Sequence, residues 1–267
     1  MAFHPSQRPG GFRLQEDVTT QAHATVRAVD RALDILLCFG RSSGGLTLSE
    51  ISKQVNLHKS TVYRLLTSLQ VKGFVRRDPD SDKYFVGWSV LELLSGLHES
   101  DELSSLALPE MTRLRDRTGE TVSLYVRVGR ERLRIQAVDS QEPVRNVAII
   151  GKTYPLYIGA SGKVLLAFAD SSVLEQVFQD ASMPPDFDRE DLLKQLAVIR
   201  RDGYATSIQE RDTGAAAAAA PVFDKNHELV ASLSVSGPVS RFTPVKMQEH
   251  IQAVKQSAVF LTKLLSR

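Results

Sequence analysis

Lys59, Ser60, Tyr63, Arg64 and Thr67 fall at the spacing that puts side chains on one face of a helix, and all five are hydrogen-bond donors or cations. A face of that kind can bond the phosphates and base edges of a nucleic-acid duplex. Something must hold it in place. Val62, Leu65, Leu66 and Leu69 recur on the other side of the same segment, and Leu48, Ile51 and Val55 repeat the pattern just upstream. Residues 48–73 therefore read as two short helices joined by a tight turn at Asn56 and Leu57, the second starting near His58. This is the sequence form of a helix-turn-helix, whose second helix enters the major groove. Its N-terminal end, His58, Lys59, Ser60 and Thr61, faces the same groove as Tyr63 and Arg64. The competing reading is a solvated helix face.

The elements around it complete a small domain. Residues 26–39 are amphipathic, with Val26, Val29, Leu33, Leu36 and Leu37 on one face and Arg27, Asp30, Arg31 and Asp34 opposite. Gly40 ends that helix. Thr47 is placed to cap the next one, with Glu50 as its capping-box partner. After Gly73, two short β-type runs, Phe74-Val75 and Tyr84-Phe85-Val86, flank a polar turn from Asp78 to Asp82 and predict a two-stranded wing. Arg76, Arg77 and Lys83 on the wing are expected to contact phosphate; otherwise they serve only solubility. Residues 24–87 carry ten Lys and Arg against six Asp and Glu, in a chain whose net charge is +2. That imbalance fits nucleic-acid binding by this part of the chain.

Composition and motifs narrow the remaining classes. A single cysteine, Cys38, excludes an intramolecular disulfide and fits a cytoplasmic protein, and its apolar surroundings predict a buried structural thiol. No run approaches the roughly 18 apolar residues of a membrane span. Residues 1–23, with Pro5, Pro9, Gly10 and Gly11, lack an apolar signal core and read as a flexible tail. An enzyme is the competing class. The six histidines, His4, His23, His58, His98, His227 and His250, show no metal-ligand spacing, and no metal or cofactor is expected. There is no nucleophile elbow, P-loop or dinucleotide fingerprint. Gly159-Ala-Ser-Gly-Lys has neither the length nor the glycine spacing of a phosphate loop.

The rest of the chain reads as a linker helix over residues 88–101 and an α+β domain over residues 102–267. Helices are predicted at 103–118, with Pro109 dividing the element or marking its start, and at 161–169, 171–178, 189–202 and 244–265. Strands are predicted at 121–128, 133–138, 144–150, 204–208, 216–223 and 229–236, the first two joined by a hairpin turn at Gly129. Alanine favours helix. Yet Gly214 before the run Ala215 to Ala220, and Pro221 and a turn after it, favour a strand whose small side chains leave space against the sheet. The fold class is thus one antiparallel sheet with helices packed on it.

The segments VDRALDILLCF, LTLSEISKQVNLHKSTVYRLLTSLQVKGFV, PLYIGASGKVLLAF, IRRDGYA and AAPVFDKNHELVASLSVSGPVSRF resemble, in order and spacing, the isocitrate lyase regulator (IclR) family of bacterial transcription factors. The resemblance implies a winged helix-turn-helix domain over residues 24–87, a linker helix, and a GAF/PAS-like effector-binding domain. It also implies a homodimer through the DNA-binding half, or a dimer-of-dimers tetramer, acting on a double-stranded operator. The family's effectors are small organic acids. By resemblance the acid's carboxylate is received at Ala160 and Ser161, and a helix N-terminus with unpaired amides suits an anion on physical grounds as well. Ser234 and Ser236 share one strand face by period-two alternation and are expected at the ligand. Two more family pocket positions fall on Ser207 and Ala217. In one branch these are an acid and a cysteine, so this chain departs from it and is expected to take a bulkier, aromatic or medium-sized carboxylate. Tyr125, Tyr154 and Tyr157 serve either as aromatic wall or as ordinary core. A regulator with no small ligand, governed by a protein partner, is the remaining alternative; failure of any small acid to raise the melting temperature would favour it.

Overall fold

The computed structural model describes residues 25–266 apart from 41, 43 and 101, so the tail expected over residues 1–23 lies outside it. The chain divides into two compact units, with the boundary between Glu102 and Leu103.

The N-terminal unit contains α1 (Arg27–Phe39), α2 (Leu48–Gln54), α3 (Lys59–Val71), β1 (Val75–Arg77), β2 (Tyr84–Val86) and α4 (Ser89–Ser100). Ile51 from α2, Val62 and Leu66 from α3, and Val75 and Tyr84 from the strands close a core with Ile35 and Phe39 of α1. The Thr47 hydroxyl accepts the Glu50 amide and the Glu50 carboxylate accepts the Thr47 amide at 2.8 Å, the reciprocal cap expected of that spacing. Asn56 takes a left-handed conformation, φ +49°, which turns α2 sharply into α3. The antiparallel wing pairs Val75 with Val86 and Arg77 with Tyr84, and Leu46 bridges to Tyr84.

One expectation is corrected here. Of the predicted face, Val26, Val29, Leu33 and Leu37 are exposed and only Leu36 packs partly on the core, while the helix turns Ile35, Cys38 and Phe39 inward. The helix is apolar on both sides, and periodicity picked out the outer one.

The C-terminal unit is built on a six-stranded antiparallel sheet, β3 (Thr121–Val128), β4 (Glu131–Val138), β5 (Thr153–Pro155), β6 (Ala205–Ile208), β7 (Ala215–Phe223) and β8 (Leu229–Pro238), in the order β5-β4-β3-β8-β7-β6. One face packs on α5 (Glu102–Thr118) and α9 (Pro244–Leu265) through Val122, Leu124, Leu233, Val235, Met111, Ile251 and Val254. The other carries α6 (Ala160–Ala167), α7 (Ser171–Phe178) and α8 (Arg189–Asp202). The alanine run is a strand: Ala216, Ala218 and Ala220 meet the α9 side, while Ala217 and Ala219 meet the α6 side.

Two further expectations fail. Residues 144–150 form no strand; the edge of β4 pairs at Glu131–Leu133 with Thr153–Pro155 instead. The segment is tied instead by single bonds: the Thr121 hydroxyl to the Asn146 carbonyl at 2.8 Å and Arg241 to the Val144 carbonyl at 2.9 Å. Its β-branched residues Val144, Val147, Ile149 and Ile150 stay exposed. Pro109 neither divides nor starts α5, which runs through it. It sits on an exposed face, where water can satisfy the carbonyl that lacks its amide partner.

Candidate functional site

The first candidate surface is the outer face of α3. His58 is the N-cap residue, and Lys59, Ser60, Tyr63 and Arg64 are exposed along the first turns, with Thr61 half-buried beside them. Val62 and Leu66 are fully buried on the inner side, so packing fixes which side chains point out. Arg64 has no ion-pair partner among the described residues, which leaves its five donors available.

The wing is electrically more balanced than its cations imply. The Arg76 guanidinium lies 4.7 Å from the centre of the Phe85 ring, and Arg77 lies over Tyr84. Arg77 also pairs with Asp82 at 2.8 Å. Lys83 is half-buried on the same hairpin, and its charge helps hold the Glu50 carboxyl below its usual value, a shift due first to the hydrogen bond from the Thr47 amide. At the tip Asp78 accepts the Ser81 hydroxyl at 2.6 Å, and Asp80 and Asp82 follow it. Three carboxylates thus stand beside Arg76, Arg77 and Lys83. Those carboxylates were visible in the sequence as part of the turn, but as turn formers rather than as countercharge.

The second candidate is a small cavity of about 40 Å³ in the C-terminal unit, on the α6 side of the sheet. Tyr125, Ala160, Ser161, Ser207, Ala217, Ser234 and Ser236 all line it, together with Gly159, Glu210, Arg211 and Asp212. Sheet register explains the convergence. Ser236 pairs with Thr121 and Ala217, Ser234 with Ser123 and Ala219, and Ser207 with Ala217, so these side chains form adjoining rows on one face. Tyr157 is elsewhere. It is buried against Phe187 at 5.1 Å between ring centres, and its hydroxyl donates to the Ser182 carbonyl, so it is a core residue. Tyr154 does not line the cavity either, but packs edge-on against Tyr125.

Gly159, the N-cap of α6, has φ +81°, a conformation other residues avoid. The Gly159 amide donates to the Glu210 carboxylate at 2.9 Å, whereas the Ala160 and Ser161 amides have no acceptor among the described residues. Glu210 also holds the buried Lys163 ammonium at 2.6 Å, and Gln195 accepts from the same ammonium. Gln209 and Gly214, both at positive φ, flank the loop that carries Glu210, Arg211 and Asp212.

Two arginines that the sequence reading passed over complete the surroundings. Arg132 and Arg134 on β4 are each 2% exposed. Arg132 donates to the Pro155 and Ile158 carbonyls, while Arg134 donates to the Tyr125 hydroxyl, from Nε at 2.9 Å. Arg211 pairs with Asp212 and lies 4.3 Å from the centre of the Tyr154 ring. Burial draws the Arg132 guanidinium down to about 10, and the charges of Arg211 and Arg134 push the same way, so it remains a cation at neutral pH. The signal was present: Arg132 and Arg134 alternate with Leu133 and Ile135, which puts both on the face opposite the apolar pair.

Comparison with known proteins decides the family. The model of the bacterial transcriptional regulator IclR C-terminal domain matches residues 97–262, and that of the IclR helix-turn-helix domain matches residues 28–79. The chain belongs to the IclR family. It is 30% identical over 245 residues to the HTH-type transcriptional regulator XynR of Escherichia coli, covering 90% of this chain and 97% of that protein. It is 32% identical over 259 residues to BhcR of Paracoccus denitrificans, covering 95% and 90%. Among solved structures, an IclR regulator from Alicyclobacillus acidocaldarius matches with a TM-score of 0.78 at 27% identity, covering 91% of this chain and all of that one. An IclR homologue from Microbacterium hydrocarbonoxydans, solved with 4-hydroxybenzoate, matches with a TM-score of 0.73 at 26% identity, covering 89% and 98%. This IclR chain is therefore a DNA-binding transcriptional regulator with a C-terminal effector domain. Among its described residues no helix is long and apolar enough to cross a membrane.

Proposed function

We propose that this regulator grips operator DNA with the outer face of α3, that the wing adds phosphate contacts through Arg76, Arg77 and Lys83, and that an organic acid in the C-terminal cavity adjusts the grip. The observation that carries the second half is the meeting of unpaired amides at Ala160 and Ser161 with the Ser234 and Ser236 hydroxyls around one small space. That is a donor set for a carboxylate.

The acid is a medium-sized carboxylate, with aromatic acids foremost. Ala217 offers space where a longer side chain would offer a contact, Tyr125 offers a ring face, and a relative's structure holds 4-hydroxybenzoate. A cavity of about 40 Å³ holds little more than one water. Admitting such a ligand therefore requires the loop with Glu210, Arg211 and Asp212 to move outward about its positive-φ ends, and that motion is what the linker helix α4 passes to the DNA-binding half.

The working form is a homodimer or a dimer of such dimers. The exposed stripe of Val26, Val29, Leu33 and Leu37 is an apolar face of the kind that a second copy covers, and a palindromic operator then follows from two-fold symmetry. The test is a mobility-shift assay on the protein's own promoter, with and without benzoate-type acids, for wild type and Arg64→Ala. Wild type should prefer the promoter to random duplex and respond to acid, and Arg64→Ala should bind at least tenfold more weakly. Equal affinity for random DNA, or an unweakened Arg64→Ala, refutes the assignment of α3.

A further inference from the structure

The charges around the cavity do not balance. Lys163 is matched by Glu210 and Arg211 by Asp212, but Arg132 and Arg134 have no carboxylate partner among the described residues. Both guanidiniums are almost wholly removed from water. Burying a charge without an opposite charge costs several kcal/mol, and the carbonyls, phenol hydroxyl and ring faces around these two recover only part of it. The start of α6 adds the positive end of a helix dipole at the same place. The Arg132 Nη2 lies 3.0 Å from where a side chain on Gly159 would begin, so a cation is held against a helix N-terminus, the arrangement that electrostatics disfavours.

Donors are also left over. Among the described residues the Arg132 Nε has no acceptor, and neither do the Ser123 and Ser232 hydroxyls, which are fully buried on the same sheet face. Ser232 pairs with Tyr125 and Ser123 with Ser234, so these orphans form a polar track between the serines of the cavity and the ring that Arg134 holds. Buried donors without partners are uncommon in a finished core, and a bound water or ligand can satisfy them.

We infer that the effector is a dianion: a small skeleton with two acid groups, one seated on the Ala160 and Ser161 amides and the Ser234 and Ser236 hydroxyls, the other between Arg132 and Arg211 beside the rings of Tyr125 and Tyr154. The second acid group gives Arg132 the opposite charge it lacks, with Arg134 behind it on the Tyr125 hydroxyl. This rests on the reading of the cavity as the effector site and specifies the charge of what it takes.

Calorimetry on the full chain with acids of matched skeleton tests it: benzoate against the three benzenedicarboxylates, and butyrate against succinate, at equal ionic strength. At least one diacid should bind ten times or more tighter than its monoacid. Arg132 is a poor probe because it also secures the Pro155 and Ile158 carbonyls. Arg211 is partly exposed, and in Arg211→Gln the ratio between diacid and monoacid should fall toward one. Monoacids that bind as tightly as every matched diacid would overturn the charge assignment while leaving the effector site standing. Absence of binding by either series would sink both.

Discussion

The Glu210 carboxylate accepts the Gly159 amide at 2.9 Å with one oxygen and holds the Lys163 ammonium at 2.6 Å with the other. A side chain of the protein thus already occupies the first donor of α6, next to the two amides assigned to the effector. Any incoming acid meets this resident negative charge. Glu210→Gln keeps an acceptor for Gly159 but removes the charge and leaves Lys163 unopposed. Calorimetric titration with an organic acid should show severalfold tighter binding to the variant. Weaker binding would mean that Glu210 shapes the pocket more than it repels ligand.

On the wing, Asp82 pairs with Arg77, one of the proposed phosphate contacts. The pair is exposed, so phosphate can displace the carboxylate at little cost. Asp82→Asn should strengthen binding to any duplex, specific or random, and steepen the dependence of affinity on salt concentration. Unchanged salt dependence in mobility-shift assays would place Arg77 outside the contact.

Gly162 is a helical glycine that cannot gain a methyl group. A Cβ there would overlap the Arg132 Nη1 and lie 2.6 Å from the Leu156 carbonyl oxygen. Glycine-to-alanine changes inside helices ordinarily stabilise. Gly162→Ala should instead destabilise by about 1–3 kcal/mol, the usual range for overpacking. Thermal or urea melts decide, and a rise in melting temperature would show that Arg132 is not packed under the helix.

His250 is buried against Phe242, and burial, only partly offset by Glu120, lowers its affinity for a proton below the ordinary histidine value. The unfolded chain therefore binds this proton more readily than the folded one. Stability is insensitive to the group above about pH 6.5 and falls as pH drops below it, by at most about 1.4 kcal/mol per pH unit. Urea melts across this range should show His250→Gln losing part of that acid sensitivity. An identical pH profile would refute the role.

Much of this was legible in the sequence because local rules and tertiary packing agree. Thr47 and Glu50 cap α2 as their spacing demands, and the serines of β8 land on the cavity face because alternation leaves them no other. Failures came where a choice is made by distant partners. Valine and isoleucine between 144 and 150 have strand propensity, but propensity does not choose the partner, and β4 pairs with Thr153–Pro155 instead. The outer stripe of α1 was indistinguishable from a core face because apolar periodicity does not say which side is inside. Tyr157 stands out by its type, but it packs on Phe187 and bonds the Ser182 carbonyl in the segment between α7 and α8; Arg132 and Arg134 escape notice because charged residues in a strand read as solvent-facing.

The alternation of β7 has a consequence for how such a regulator diversifies. Even-numbered alanines at 216, 218 and 220 set how near the closing helix can lie, whereas Ala217 and Ala219 face the opposite layer, Ala217 at the proposed effector cavity. Because the two sets point away from each other, selection can retune the chamber at position 217 without disturbing the α9 side. New metabolites can in this way be adopted through single changes that leave the scaffold's architecture intact.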